Sequence, residues 1–556
     1  MKDEIKPGHK HWFSNVVAPI NYDVNHIDWN AETDVVVVGA GGAGVSAALE
    51  ASEQGSDVLL LDRFHEGGAT AASGGVFYAG GGTSIQKEAG VEDTPDNMYN
   101  YLKMEVQDVV KDSTLRKFCE DSRANTEWLI KHNVKFQGSV YKKKTSYPPP
   151  GYYLYHADNS LVPEYIKNAK PAARGHRGFV KSKLATGHGH TIFNPLRDAA
   201  LKNGVNIQVQ SEVVGLVTNN EEAIIGVQVY EFSNAQDAKK HFKYSKRATA
   251  LHMYLTPIAN YFRRRAARLE KNARELKFIK ARKGVVLTCG GFVFNRPMLE
   301  HYAPKYSCGY PLGTTGDDGA GIRLGQSVQG AVDRMDLGSA WRMINPPVSW
   351  AQGIVVNMQG QRYNNEMVYG ATLGKAMCED NEGKGFIILD KNIWKESWRH
   401  IRSGELLPFQ RNPAILGMVL GSKKGNTLED LAIKVGLDSA KLVEQVDRYN
   451  SDISNNAEDE YGKGQKDCKP IKEGPFYAID ISVDSPYVPC SVITLGGLVV
   501  NEETGNVKNK EGKDIKGLYA GGRTAIGMCC NIYVSGLSIA DGIFSGRRAG
   551  LNISGE

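Results

Sequence analysis

The sequence predicts an α/β fold that opens on a β-α-β unit, and three observations carry the prediction. An apolar run at 34–38, Asp-Val-Val-Val-Val, suits a strand buried in a parallel sheet. Glycines follow at once, then an alanine-rich stretch that reads as a helix ending at Gly55. A second apolar run at 57–62 completes a unit of about 30 residues. The 556 residues are 41% hydrophobic and 23% charged, a globular composition with room for two or more domains.

Each later segment has its own reading. Residues 1–30 are polar and are expected to wrap an outer surface. Residues 67–83 are small and glycine-rich. They are expected to build no core and to bring backbone close to a ligand. The stretch 95–134 reads as helical, and 140–190, rich in Tyr, Pro, Gly and His, as irregular. Strands are expected within 204–232, at 284–291 where the run ends in glycines, within 475–500 and at 517–523. Residues 295–470 mix helices and strands, and 534–550 form a last helix.

Several classes are excluded. The charged N-terminus has no apolar stretch, so no secretory signal is expected. No run approaches about 18 apolar residues, so no spanning helix is expected. A net charge of +5 is small for this length and argues against a nucleic-acid partner. The eight cysteines are scattered without C-x-x-C spacing, which favours reduced thiols in a cytoplasmic protein.

The charge is uneven. Residues 234–283 hold fifteen Lys or Arg against three acidic residues. Leu251, Tyr254, Leu255, Ile258, Phe262 and Leu269 recur at helical spacing, with Pro257 at a kink or start. One reading is a solvated basic helix packed on the protein or a partner subunit. The other is a helix lying on an anionic membrane surface.

The run Gly39-Ala40-Gly41-Gly42-Ala43-Gly44 lies between strand and helix, the context that a dinucleotide site requires. Gly39 permits the tight turn, Gly41 lets backbone approach a pyrophosphate, and Gly44 lets the helix pack on the strand. The helix N-terminus offers its free N–H groups to the phosphates. Asp62, 18 residues beyond Gly44, can accept both ribose hydroxyls. The second glycine- and hydroxyl-rich loop, with Gly68, Ala69, Thr70, Ser73, Gly74 and Gly75, favours FAD over a nicotinamide cofactor. Arg63, Gly290, Gly522 and Arg523 complete the expected cofactor contacts.

These pieces, together with the TTGDDGAGI run at 314–322, the RYNNE box at 362–366 and the TLGGL box at 494–498, resemble the flavoprotein superfamily of fumarate reductase, aspartate oxidase and ketosteroid dehydrogenases over residues 34–550. The resemblance implies a split FAD-binding Rossmann-like domain of the glutathione-reductase type with an inserted α+β catalytic cap domain. The implied division is 1–294, carrying the basic insert, then the cap 295–470, then 471–556. Ala69 lies in the segment where succinate dehydrogenase carries its flavin-linked His, so noncovalent FAD is expected. No metal is expected; His176 and the GHGH run at 187–190 suit a loop near a ligand equally well. TTGDDGAGI is expected to cap a cap-domain helix, and Glu366 to brace the flavin–cap junction.

Against the dicarboxylate reductases, the Arg and His positions carry Tyr533, Tyr369 and Val492-Ile493. A neutral carbonyl substrate fits such a set; fumarate does not. Tyr533-Val534-Ser535-Gly536, Asp541-Gly542 and Gly546-Arg547-Arg548-Ala549-Gly550 resemble the 3-ketosteroid 4-(5α)-dehydrogenases. The resemblance implies hydride transfer from carbon 5 to flavin N5, with Tyr533 and the Gly536 N–H on the 3-keto oxygen and Tyr369 with Ser535 taking the carbon 4 proton. The alternatives are a flavin-dependent enone reductase of steroid or bile-acid-like substrates, a 3-ketosteroid 1-dehydrogenase, and a noncatalytic flavoprotein. The chain has no haem C-x-x-C-H motif and no iron–sulfur cysteines, so an external electron acceptor is expected.

Overall fold

In a computed structural model of the chain, residues 13–181 and 188–555 are described. Of the expected outer wrap, residues 1–12 lie outside that range, as does Gly187 of the GHGH run. From Ser14 onward the arm does run over the body. The Ser14 N–H donates to Asp318 Oδ2 at 2.7 Å, and Ile20–Asn21 adds a parallel edge strand beside Ser211–Thr218.

The central sheet has nine strands. Its parallel heart joins Asn206–Val209, Val58–Asp62, Ala31–Val38, the C-terminal half of Arg274–Leu287, and Asp514–Ala520. Val35, Val36, Val37, Leu60, Val285 and Val286 are buried, as strands covered on both faces must be. Arg274–Leu287 is long because it serves two sheets' worth of partners. Its first half pairs antiparallel with Ile224–Phe232, while from Ile279 onward it pairs parallel with Ala31–Val38, with a register shift between Ala281 and Gly284.

The helix Gly42–Glu53 lies under the parallel strands and against the last helix, Leu537–Ser554. Their contact is close because both sides are small: a methyl on Gly546 would stand 2.3 Å from the Ala43 carbonyl oxygen, and one on Gly550 2.3 Å from that of Ala47. The Gly-Arg-Arg-Ala-Gly box is therefore a helix-packing element, with Arg547 donating to Glu50 at 2.7 Å.

The cap is built on a four-stranded antiparallel sheet of Ile354–Val356, Phe386–Leu389, Phe476–Asp480 and Ser422–Gly425, with helices around it. Phe476–Asp480 pairs with Phe386–Leu389, so this strand belongs to the cap sheet and not to the segment expected after 470. Conversely, the helix Ala320–Ser327, expected in the cap, packs Leu324 into the core of the nine-stranded sheet. The 67–83 segment also differs from expectation. It forms a short helix, Gly68–Ala72, and a strand, Val76–Tyr78, whose three residues are all buried. The two bulky aromatics in an otherwise small-residue run supply the core contact.

The basic insert is a helical hairpin, Ala235–Leu251 and Thr256–Asn272, with Pro257 in its second helix's first turn. It packs on the body through His241, Ser245, Ala248, Ala259, Arg263, Ala266, Ala267 and Glu270, not through the apolar series read from the sequence. Alanines let the two helices come close, and Glu270 reaches Arg63 at 2.8 Å.

Candidate active site

A cavity of about 1300 Å³ runs from the glycine turn to the cap. Its nucleotide end is made of backbone. Gly39 has φ +101°, and a Cβ there would lie 2.7 Å from Thr288 O. A Cβ on Gly44 would lie 1.9 Å from Gly39 O, so only glycine lets helix and strand meet. The helix Gly42–Glu53 has no side-chain cap at Gly41, and a Cβ on Gly41 would meet nothing within 4 Å. The Gly42 N–H donates to Thr70 Oγ1 at 3.1 Å, and the N–H groups that follow it in the first turn stay available to an anion. Asp62 ends its strand at the cavity wall, fixed by the N–H groups of Ala40 at 3.0 Å and Phe64 at 2.8 Å.

Of the fifteen residues expected to contact the cofactor, fourteen line this cavity; Gly44 lies behind the wall as a packing residue. Arg63 lines it too, but its guanidinium is engaged with Glu270, Glu212 and Asp318 at 2.8–3.3 Å. Asp317 is an addition from the quoted TTGDDGAGI run. It accepts from the Thr314 N–H at 2.7 Å, and burial pushes its carboxyl up to about 6. Its neighbour Asp318 accepts the Ala320 N–H at 2.8 Å, but the N-cap of the helix Ala320–Ser327 is Gly319, without a side-chain cap, and that helix belongs to the dinucleotide body. Ser245 and Thr249 of the hairpin also face the cavity, which spacing alone does not reveal.

The other end is made of side chains. Tyr533, Ser535 and Gly536 line the wall between the two domains. Gly536 takes φ +85° and is pressed on Val76 and Tyr78, where a Cβ would meet atoms at 2.8 Å. Burial pushes the Tyr533 phenol up to about 12, with the backbone N–H of Gly536 opposing the rise. Gly536 precedes the first turn of the last helix, so its N–H adds a helix N-terminus to the phenol. Ser535 Oγ lies 3.1 Å from the hydroxyl of Tyr155, a buried residue of the stretch read as irregular, where no periodicity singled it out.

Tyr369 is not on the cavity wall. It is buried behind Tyr533, ring centroids 6.5 Å apart, and 6.3 Å from the Trp341 ring. Its hydroxyl is buried without an aligned hydrogen bond; burial raises its pKa well above the usual phenol value, with nearby Ser535 opposing. Glu366 braces the cap from within, not at the junction. It meets Arg362 at 2.8 Å and Lys463 at 3.0 Å, and Arg362 also meets Asp459 at 2.5 Å. Burial raises the Glu366 carboxyl, but Arg362 and Lys463 outweigh it and hold it at about 2.

His176 is buried against Thr83 Oγ1 at 2.9 Å and the Arg174 carbonyl at 3.0 Å. His188 meets Arg177 at 2.6 Å. Among the described residues, no three His, Cys, Asp or Glu gather as a metal site.

The residues fit FAD on an independent ground: Arg523 lines the cavity with its Nη1 buried and unpartnered, a donor set for an acceptor that the chain does not supply. Arg342, at the cap wall, has both Nη atoms committed to the carbonyls of Ile481, Val488 and Pro489 at 2.8–3.1 Å. Trp341, Met343, Trp350, Phe409, Pro413 and Val488 give that wall a largely apolar lining, with Gln410, Asn412 and Ser491 among them.

The FAD binding domain family matches residues 34–536. The chain is 38% identical to a 3-oxo-5-alpha-steroid 4-dehydrogenase of Comamonas testosteroni, over 90% of this chain and 94% of that one. It is 25% identical to a 3-oxosteroid 1-dehydrogenase of Mycolicibacterium smegmatis, over 94% and 97%. In structure it is similar to the 3-ketosteroid-delta4-(5alpha)-dehydrogenase of Rhodococcus jostii RHA1 in complex with 4-androstene-3,17-dione, with TM-score 0.81 and 28% identity over 97% of this chain and 100% of that one. The chain thus belongs to the FAD binding domain family, and FAD is its cofactor.

Proposed function

We propose that the chain is an FAD-dependent oxidoreductase acting on the carbon 4–5 bond of a 3-ketosteroid. The observation that carries this reading is a cavity end lined by Tyr533, Ser535 and Gly536, where the cap-side cation Arg342 already gives both Nη atoms to backbone carbonyls. The 38% identity to a 3-oxo-5-alpha-steroid 4-dehydrogenase supports it.

Gly39, Gly41, Gly42, Asp62, Thr70, Ser73, Gly290, Gly522 and Arg523 would hold FAD without a covalent link, Ala69 offering no nucleophile. When bound, FAD supplies the redox chemistry by accepting hydride from carbon 5. Tyr533 and Gly536 donate to the 3-keto oxygen and stabilise the negative charge that grows there as carbon 4 loses its proton. Ser535 Oγ, backed by the Tyr155 hydroxyl, relays that proton: as it accepts from carbon 4 it gives its own hydroxyl proton to water admitted by the cavity, so both hydroxyls end as they began. Burial keeps both Tyr155 and Tyr369 protonated, so neither phenol is a resting base; Tyr369 sets the Tyr533 ring from behind. Electrons then pass to an external acceptor.

The same proposal places the protein in the cytoplasm with peripheral membrane contact through 234–283. No described helix is long and apolar enough to cross a membrane. Anaerobic mixing with a saturated 5α-3-ketosteroid is expected to bleach the flavin band near about 450 nm. Absorbance unchanged by every 3-ketosteroid tried overturns the reading.

A further inference from the structure

The hairpin and the cap leave an apolar surface at the place where the cavity opens. Met253 and Tyr254, between the hairpin helices, line the cavity and are 50% and 60% exposed. Leu255, Ile258 and Tyr261 beside them are exposed as well. Across the opening, the cap helix Pro408–Val419 presents Leu416, which lines the cavity, and Val419, followed by Leu420. Val419 and Leu420 are 59% and 55% exposed.

Packed and hydrogen-bonded chain joins the two lips. His252 bonds the Pro311 carbonyl at 2.7 Å, Tyr310 N–H donates to the Cys490 carbonyl at 2.8 Å, and a Cβ on Gly417 would touch Val488. Large apolar residues thus crowd one rim, while the hairpin buries alanines and polar side chains on its inner face. Water-exposed patches of this kind mark a docking surface.

The charge around the rim names the occupant. Lys243, Lys246, Arg247, Arg265 and Arg268 are exposed on the same two helices, and Arg264 is half-buried. Within 235–272 only Asp237 and Glu270 oppose them, and Glu270 is buried on Arg63. Exposed Met, Tyr, Leu and Ile on a helical tip, ringed by Arg and Lys, is the composition that rests in the headgroup layer of an anionic bilayer. We propose that the lips formed by Met253–Tyr261 and Leu416–Leu420 seat on an anionic lipid surface, so that the cavity opens into the bilayer and an apolar ketone enters without crossing water. This deepens the membrane contact of the reading above and rests on it for the nature of the substrate.

The test uses the FAD-loaded full chain and liposomes of phosphatidylcholine with or without phosphatidylglycerol. The unaltered protein is expected to pellet with the anionic vesicles, and less as salt rises. Leu255→Asp with Ile258→Asp, and separately Val419→Asp with Leu420→Asp, are expected to lower partition at least tenfold. Arg264→Glu with Arg265→Glu and Arg268→Glu is expected to remove the preference for anionic vesicles, each lost cation lowering partition about fivefold. Retained flavin absorbance shows that each variant is folded. Failure of the unaltered protein to pellet, or equal pelleting by all variants, overturns the proposal. So does a lipid-indifferent dimer that the Asp variants dissociate, which makes the rim a contact between copies. Flavin bleaching by a cyclodextrin-dissolved 5α-3-ketosteroid is scored separately: bleaching without lipid binding sinks the docking surface alone, and lipid binding without bleaching sinks the substrate reading.

Discussion

The two ends of the cavity are built on opposite principles. At the nucleotide end the ligand contacts come from backbone, concentrated in two short runs, 39–44 and 68–75, that a strand and a helix fix in place. At the ketone end the wall is the 533–536 turn, backed from far-separated segments by the side chains of Tyr155 and Tyr369. At Gly39 and Gly44 the first tolerates no added atom; the second depends on single hydroxyls. Substitutions at the two ends should therefore fail in different ways.

The largest effect is expected at the nucleotide end. Gly44→Ala sets a methyl 1.9 Å from a backbone carbonyl that cannot yield, so the purified protein should be colourless. Yellow Gly44→Ala protein would show that this packing is less tight than described. Next comes the brace beneath the phenols. Glu366→Gln leaves Arg362 and Lys463 facing each other without their carboxylate and should cost about 3–5 kcal/mol in denaturant unfolding. Because the Glu366 carboxyl is depressed from 4.5 to about 2, its stabilisation is present above pH 4.5 and lost as pH falls through 2. Glu366→Gln should flatten that acid limb; an unchanged limb assigns it to other carboxylates.

At the ketone end, Tyr533→Phe should keep its flavin and lose roughly 10²–10³-fold in kcat, the worth of one donor to a developing oxyanion. With the phenol pushed up to about 12, this donor should not titrate across neutral pH. An alkaline limb near pH 8 that vanishes in Tyr533→Phe would break the assignment. Ser535→Ala should cost roughly 10²-fold as a proton acceptor is lost. Tyr155→Phe, which removes one supporting hydrogen bond of ~1 kcal/mol, should cost only about fivefold. Equal losses at Ser535 and Tyr155 would make the pair one unit.

This contrast explains what the sequence disclosed. A glycine turn is legible because strand, turn and helix are contiguous, and fourteen of the fifteen expected contacts line the cavity. The 533–536 box was equally visible because it too is a single turn at a helix start. Tyr155 was not, since its partner Ser535 is 380 positions away and the two meet only through the fold. The orientation of the hairpin was not legible, for a physical reason. Helical spacing of Leu251, Tyr254, Leu255 and Ile258 reports that an apolar face exists, not which way it turns. Here the need to close Arg63 with Glu270 sets the rotation. The strand Phe476–Asp480 was placed in the wrong layer because an apolar run carries no information about its neighbours across the sheet.

The glycine contact between the first and last helices has one more effect. Gly546 meets Ala43 and Gly550 meets Ala47, so the two helices run side by side in the same direction. Both positive ends therefore aim into one chamber, at different depths, and their fields add. Negative charge close to either helix start is met by peptide dipoles, which have no proton to lose. An anion can be welcomed at both stations over the whole pH range in which the protein stays folded.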